Sequence, residues 1–356
     1  VLLIIVKAFR FTKLDMRYFL PTAILFLFYN GTFAQLGQPQ VFDFLNFAPS
    51  AAVTALGGKQ AITSVTDSAA MLIPGVWLAN PATNHSLTSP QVALSYQPYY
   101  ADIDFATFTY NQPGEHQGNW GLGIQFLNYG SLESYDLTGI PVGTFSAQEY
   151  ALVFNRSHRL GPFRMGLNAK YVSSQIAAYG ASALLFDFGG TFIHPVHDLS
   201  VGMSLNNLGL FLNDYTSSDR SRLPTDLTLG LTFKPRYMPF RLYATGFYFL
   251  NQRDAYFSRD NNEKPGYVNK ILRHVNLGGE ILIGSKLSFL MGYNHLRANT
   301  LQLEQTRGGA GLSFGISLRL RFLQIDFSRT FFHAAGGISH FTLAAKLDKL
   351  IDLKRN

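Results

Sequence analysis

The sequence predicts an all-β protein: a transmembrane antiparallel β-barrel of about 14 strands, with a small N-terminal plug or hatch. Three observations lead there. Only 14% of the 356 residues are charged, against about 25% in soluble domains. After residue 90, apolar and polar residues alternate with period two, the mark of strands with one apolar face. The alternating segments mostly run nine to fourteen residues, whereas a tilted membrane strand needs about 9–11 and globular strands average about 5–6. The chain holds 31 Phe, 18 Tyr and 32 Gly. Its mean hydropathy is only +0.07, which excludes a bundle of membrane helices. A secreted sandwich or propeller would also alternate, but with shorter strands and more surface charge.

Residues 1–34 read as a signal peptide. Lys7, Arg10, Lys13 and Arg17 precede the apolar run YFLPTAILFLFY at residues 18–29. That run is too short to span a bilayer, and Thr32 and Ala34 place small residues for cleavage after Ala34. Starting at Met16 leaves a complete, compact signal, so residues 1–15 read as a start called too early.

Residues 35–90 carry a different pattern. The stretch is small and apolar, punctuated by Gly57-Gly58 and Asn80-Pro81-Ala82. Short turns of this kind would form a hatch in the barrel mouth, since fourteen strands enclose more space than wall side chains fill.

The barrel is expected over residues 91–347. Its segments are 91–97, 102–110, 120–130, 143–155, 163–176, 181–193 and 199–210, then 225–234, 240–250, 273–283, 286–297, 309–320, 322–330 and 338–347. In the twelfth, Leu312, Phe314, Ile316 and Leu318 share one face, and Ser313, Gly315, Ser317 and Arg319 the other. Leu227, Leu229, Leu231 and Phe233 alternate likewise with Thr228, Gly230, Thr232 and Lys234. Most connections after even-numbered segments are tight, and several after odd ones are long and polar, including residues 131–142, 211–224, 251–270 and 298–307. Short periplasmic turns and long outer loops are the outer-membrane pattern. Residues 348–356 are expected to be a periplasmic tail, although the chain ends in LIDLKRN and not in an aromatic.

Here a resemblance becomes specific. Residues 42–46 (FDFLN), 55–58 (ALGG), 80–82 (NPA), 96–110, 121–130 (GLGIQFLNYG) and 143–155 (GTFSAQEYALVFN) resemble the PorQ family of the type IX secretion system. More distantly, the hatch motifs resemble PorV and the FadL-type transporters. The PorQ resemblance implies an outer-membrane scaffold in the attachment complex. It would hold a PorZ-like surface partner while cargo is attached to lipopolysaccharide, with outer-membrane lipid and lipopolysaccharide as further partners. Under that reading the partner contacts fall at residues 212–223 and 251–270, on Tyr215, Arg220, Arg253, Tyr256, Phe257, Arg259 and Tyr267. These mix aromatics with arginine as interfaces do. The alternative is a FadL-like transporter of hydrophobic small molecules.

Chemistry is not expected. The chain has no Cys, so thiolate metal sites, disulfides and a lipid-anchored N-terminal Cys are excluded. Gly311-Leu312-Ser313-Phe314-Gly315 spells GxSxG, but a nucleophile elbow needs a strand-to-helix turn and this serine lies mid-strand. A barrel lipase would need a Ser–His pair that the His spacing does not select. His194 and His197 offer two metal ligands where a zinc site needs more. No catalytic, cofactor or metal residues are assigned, and the interleaving of basic with acidic residues argues against a nucleic-acid partner. By strand parity Glu149, Arg164, Lys170, Asp187, Asp226, Lys234, Glu280, Arg319 and Asp326 should face the lumen. There they would either form a closing network or line a path.

Overall fold

A computed structural model of the chain describes residues 40–62, 73–86, 89–114, 118–215, 221–250, 266–300, 309–333 and 336–348. The expected signal peptide at residues 1–34 and all of the expected tail but Asp348 lie outside the described residues.

Fourteen strands close into one antiparallel barrel in sequence order, with β1 paired to β14. They are β1 Gln91–Pro98, β2 Asp104–Gln112, β3 Asn119–Tyr135, β4 Pro141–Leu160, β5 Phe163–Ile176, β6 Tyr179–Ile193 and β7 Leu199–Asn213. The second half holds β8 Asp226–Phe233, β9 Phe240–Gly246, β10 Val275–Ile283, β11 Leu287–Asn294, β12 Leu312–Arg319, β13 Leu323–His333 and β14 Gly336–Lys346. Closure leaves no sheet edge in the wall, the condition for a sheet to span lipid. No helix among the described residues is long and apolar enough to cross a membrane.

The faces are inverted relative to a soluble barrel. On β12, Phe314 and Ile316 are 47% and 43% exposed while Ser313 and Ser317 are 0% and 1% exposed. Apolar side chains outside and small polar ones inside suit a barrel solvated by acyl chains.

Several boundaries differ from expectation, β4 running five residues past its expected end, and three differences have a local cause. Residues 131–142, expected as a loop, largely form strand. After a register shift between Asn128 and Ser131, where Gly130 takes φ 70, pairing resumes with Ser131 opposite Ser146 and Glu133 opposite Thr144. The ninth strand stops at Gly246, because Tyr248 turns to φ 60 and the Phe247 N–H donates to the His274 carbonyl at 3.0 Å. The eleventh stops at Asn294, whose Oδ1 accepts from the Arg297 N–H at 3.0 Å and starts the helix His295–Thr300.

Residues 40–62 and 73–86 pack against the inner wall. The short helix Ala51–Ala55 is buried at every residue and contacts β11 to β14, and the 3-10 turn Pro81–Ser86 contacts β3 to β6. Inward-facing glycines make room for both. A Cβ on Gly166 would lie 2.3 Å from the Pro81 carbonyl carbon, and one on Gly292 would lie 2.3 Å from the Gly57 nitrogen. The wall is thus bare where the segment's backbone touches it. Phe42, Phe44 and Trp77 from this segment join Phe105, Leu127, Val172 and Leu185 of the wall in one buried cluster.

Candidate functional site

The inner wall is built on asparagine, serine and threonine at inward positions, and these hold the N-terminal residues by their backbone. Asn155 Nδ2 donates to the Pro81 carbonyl at 3.2 Å and Asn168 Nδ2 to the Trp77 carbonyl at 3.1 Å. Asn276 Nδ2 reaches the Leu56 and Lys59 carbonyls, each at 2.8 Å. Thr107 Oγ1 donates to the Pro49 carbonyl at 2.7 Å, and Thr342 Oγ1 accepts from the Ala51 N–H at 2.8 Å. Thr54 Oγ1 and His340 Nδ1 share a hydrogen bond of 2.8 Å. Turns lack regular backbone pairing, so a buried turn must find side-chain partners. The wall supplies them.

The charges expected inward are buried, save Lys234 and Arg319, which are partly so. Lys170 Nζ lies 2.7 Å from Asp187 Oδ2. Arg319 and Arg241 both grip Glu280, at 2.7 and 3.1 Å, and Arg241 also reaches Asp198 at 3.3 Å. Tyr243 donates its hydroxyl to Glu280 at 2.9 Å. Glu149 accepts from the Tyr129 hydroxyl at 2.9 Å, and Asp326 accepts from Gln324 at 2.8 Å. Asp226 accepts from the Tyr248 N–H at 2.7 Å, so it serves the kink after β9. Arg164 is buried, and Lys234 continues inward parity just past β8, its N–H donating to the Asp198 carbonyl at 2.9 Å. Sequence parity overlooked Arg241, although its alternation with Leu242 and Ala244 marks it as inward.

One bulge carries part of this network. Between β6 and β7 the register shifts at Asp187, where Asn207 adopts φ 59 and its N–H donates to Asp187 Oδ1 at 2.8 Å. The extra residue aims Asn207 Oδ1 at Lys170 Nζ, 2.9 Å away. Bulges re-aim side chains in this way.

A cavity of about 540 Å³ lies between the N-terminal residues and the wall, lined by Phe47, Tyr99, Phe247, Tyr248 and Phe332 among others. Two cations sit in it over aromatic rings: Lys59 Nζ is 5.0 Å from the Tyr248 centroid, and the Arg297 guanidinium is 4.7 Å from that of Phe332. Burial pushes the Tyr99 phenol up and the Arg297 guanidinium down. Both shifts mark a poorly solvated space.

Of the rim residues, Tyr215 turns onto the inner cluster and donates its hydroxyl to Ser174. Tyr267 is exposed on the helix Tyr267–Arg273. Arg220, Arg253, Tyr256, Phe257 and Arg259 lie outside the described residues. Ser313 sits within β12 and hydrogen-bonds Thr330 at 3.0 Å, with no strand-to-helix turn around it. His194 Nδ1 accepts from the backbone N–H groups of Val196 and His197 at 3.1 and 3.0 Å. Among the described residues, no three His, Asp or Glu side chains converge on a common point.

No family model matches this chain, and no curated relative matches it. Solved structures do. Two structures of the Pseudomonas putida toluene transporter TodX align at 13% identity with TM-scores of 0.53 and 0.50. They cover 85% and 86% of this chain and 97% and 98% of theirs. A FadL homologue of Pseudomonas aeruginosa aligns at 9% identity with a TM-score of 0.46, over 87% of this chain and 99% of its own. The likeness to TodX is one of fold, a β-barrel like that of this transporter.

Proposed function

We propose that this chain is an outer-membrane scaffold of the PorQ kind, which acts by presenting its outer rim to a protein on the cell surface during cargo attachment to lipopolysaccharide. The observation that supports it is the state of the lumen. Lys170 pairs with Asp187, Glu280 with Arg241 and Arg319, and inward asparagines such as Asn155 and Asn276 bind the N-terminal backbone. Passage of an apolar molecule would break buried ion pairs, each costing about 3–5 kcal/mol when one partner is lost. A scaffold needs only the rigidity that such a network confers. Deleting residues 254–265, which the sequence leads one to expect in an outer loop, should leave the barrel folded, since loops tolerate shortening, yet release the surface partner into the medium. Full retention of the partner after that deletion, and after shortening of the other outer elements as well, would count against the scaffold.

A second reading rests on the 540 Å³ cavity. Aromatic walls with Lys59 and Arg297 suit an apolar molecule with an anionic end, which favours a FadL-like transporter of hydrophobic compounds. Loss of uptake of a hydrophobic nutrient on substituting Arg297, with cargo attachment intact, would favour it. Neither reading gives the chain a catalytic role.

A further inference from the structure

Beyond the wall, β3 and β4 continue as a two-stranded ribbon. β2 pairs with β3 no further than Asn128 opposite Asp104, and β5 pairs with β4 no further than Ala147 opposite Ile176. From residue 131 to residue 145 the ribbon therefore has no strand on either flank among the described residues. A lone pair of strands is marginal in water, and its free edges are templates for another strand.

The ribbon is nevertheless fixed at its tip. Asp136 Oδ1 accepts from the Thr138 N–H at 2.9 Å, the Thr138 hydroxyl at 2.7 Å and the Ile140 N–H at 2.9 Å. The Asp136 N–H donates to the Ile140 carbonyl at 2.9 Å, closing the turn from the other side. Around that turn the surface is apolar. Tyr135, Leu137, Ile140 and Val142 are 56%, 108%, 60% and 62% exposed. They lie past Ser131, Thr144, Ser146 and Gln148, exposed polar positions at which the apolar outer band has already ended.

We infer that this ribbon is a docking element of the scaffold, and that its β3 edge, residues 131–135, adds to an exposed edge strand of a basic surface protein. The β4 edge carries Pro141, which lacks a donor, so β3 is the intact edge. Charge selects the partner. No Lys or Arg occurs between residues 60 and 155, while Asp102, Asp104, Glu133 and Asp136 all lie in this sector of the rim. A second copy would bring acid against acid, and lipopolysaccharide is anionic, so neither complements it. An edge strand alternating apolar residues with lysine or arginine does. The turn's fixed geometry means that little order has to be gained on binding.

This rests on the scaffold reading and names where that scaffold holds its partner. The test uses the full chain in lipid nanodiscs and a labelled nine-residue peptide of alternating Thr and Val with Lys at both ends. Fluorescence anisotropy should show it binding at least about tenfold tighter than the same peptide ended in Glu. Backbone N-methylation on the pairing side should abolish binding. Replacing residues 133–144 by Asn-Gly, in a barrel whose heat-shifted gel migration is unchanged, should abolish it as well. Equal binding of the two peptides, or binding that survives the trimming, overturns the proposal, as would cross-linking of the ribbon to a second copy. In cells the trimmed barrel should shed its surface partner. If deletion of residues 254–265 sheds the partner and trimming does not, the scaffold stands and the ribbon is not its dock. If neither does, the scaffold reading itself fails.

Discussion

Arg319 on β12 donates to Glu280 on β10 at 2.7 Å, although the intervening strand β11 separates the two in the sheet. The side chains meet on the lumen side, above Ser288, which is fully buried and too small to block them. Arg241 on β9 closes on the same carboxylate. Three strands, β9, β10 and β12, thus meet at one acid across β11.

Glu280→Gln should therefore be among the most damaging single changes in the wall. It leaves Arg319 without its carboxylate and Arg241 with Asp198 alone, at a cost of about 3–5 kcal/mol. Urea unfolding of the refolded barrel in detergent micelles reads the loss. A triple replacement, Arg241→Met, Glu280→Leu and Arg319→Met, should recover most of it. A triple variant as weak as Glu280→Gln would show that apolar packing cannot replace the clamp.

The outer face follows different rules. Ile316→Arg or Leu229→Arg places a cation among acyl chains and should cost about 2–4 kcal/mol, whereas Gln148→Arg, outward but already in a polar row, should cost about 0–1 kcal/mol. Equal losses at the three positions would contradict the register of β4, β8 and β12.

Gly166→Val and Gly292→Val test whether the N-terminal residues truly seat on the wall. Each adds atoms where a Cβ alone would come within 2.3 Å of segment backbone. Both should make residues 40–86 sensitive to protease in detergent-solubilised protein while the barrel strands stay resistant. Gly190→Val, on β6 with nothing near its Cβ and an ordinary φ, should not.

Orientation is open to labelling, because the chain has no native cysteine to confound it. Cys introduced for Leu137 should react with an impermeant thiol reagent on whole cells, and Cys for Arg159, at the opposite end of β4, should not. The reverse pattern would invert the topology.

Hydrogen bonds from the Thr138 hydroxyl and the Ile140 N–H hold the Asp136 carboxyl below its usual range. A lowered pKa means that the turn's contribution is present above the ordinary carboxylate value, about 3.9, and is lost as pH falls through the lower folded value. Amide exchange at Ile140, corrected for the intrinsic rate, should be equally protected at pH 7 and pH 5. It should weaken only in stronger acid, and Asp136→Asn should remove that dependence. Loss of protection already at pH 5 would mean that the lock does not form.

All fourteen strands were legible because period two survives wherever one face meets lipid and the other a crowded interior. Phe314–Ser317 shows the rule within four residues. The lumen charges followed from the same parity. What parity does not convey is which partner each charge finds, since Arg319 and Glu280 are far apart in sequence and two strands apart in the sheet. The asparagines that hold the N-terminal backbone were missed because Asn in a strand pattern ordinarily signals a turn. The ribbon read as a loop because Asp136, Gly139 and Pro141 are turn formers, and the bulge at residues 128–131 resets the alternation just before them. Gly166 and Gly292 carry no sign in the sequence of the contacts they permit, because those depend on where the N-terminal backbone lies in the fold.

The central claim is that the barrel works from its outside with its lumen shut. Cys substituted for both Thr54 and His340, which share a hydrogen bond on the inner face of β14, can be joined by a short thiol-bridging reagent so that the segment cannot move. The measurement is the amount of cargo attached to the surface of cells carrying this variant, with and without the bridge. Unchanged attachment after bridging is the predicted result. Loss of attachment on bridging, reversed when a cleavable bridge is cut, would mean that the lumen must open and would contradict the scaffold account.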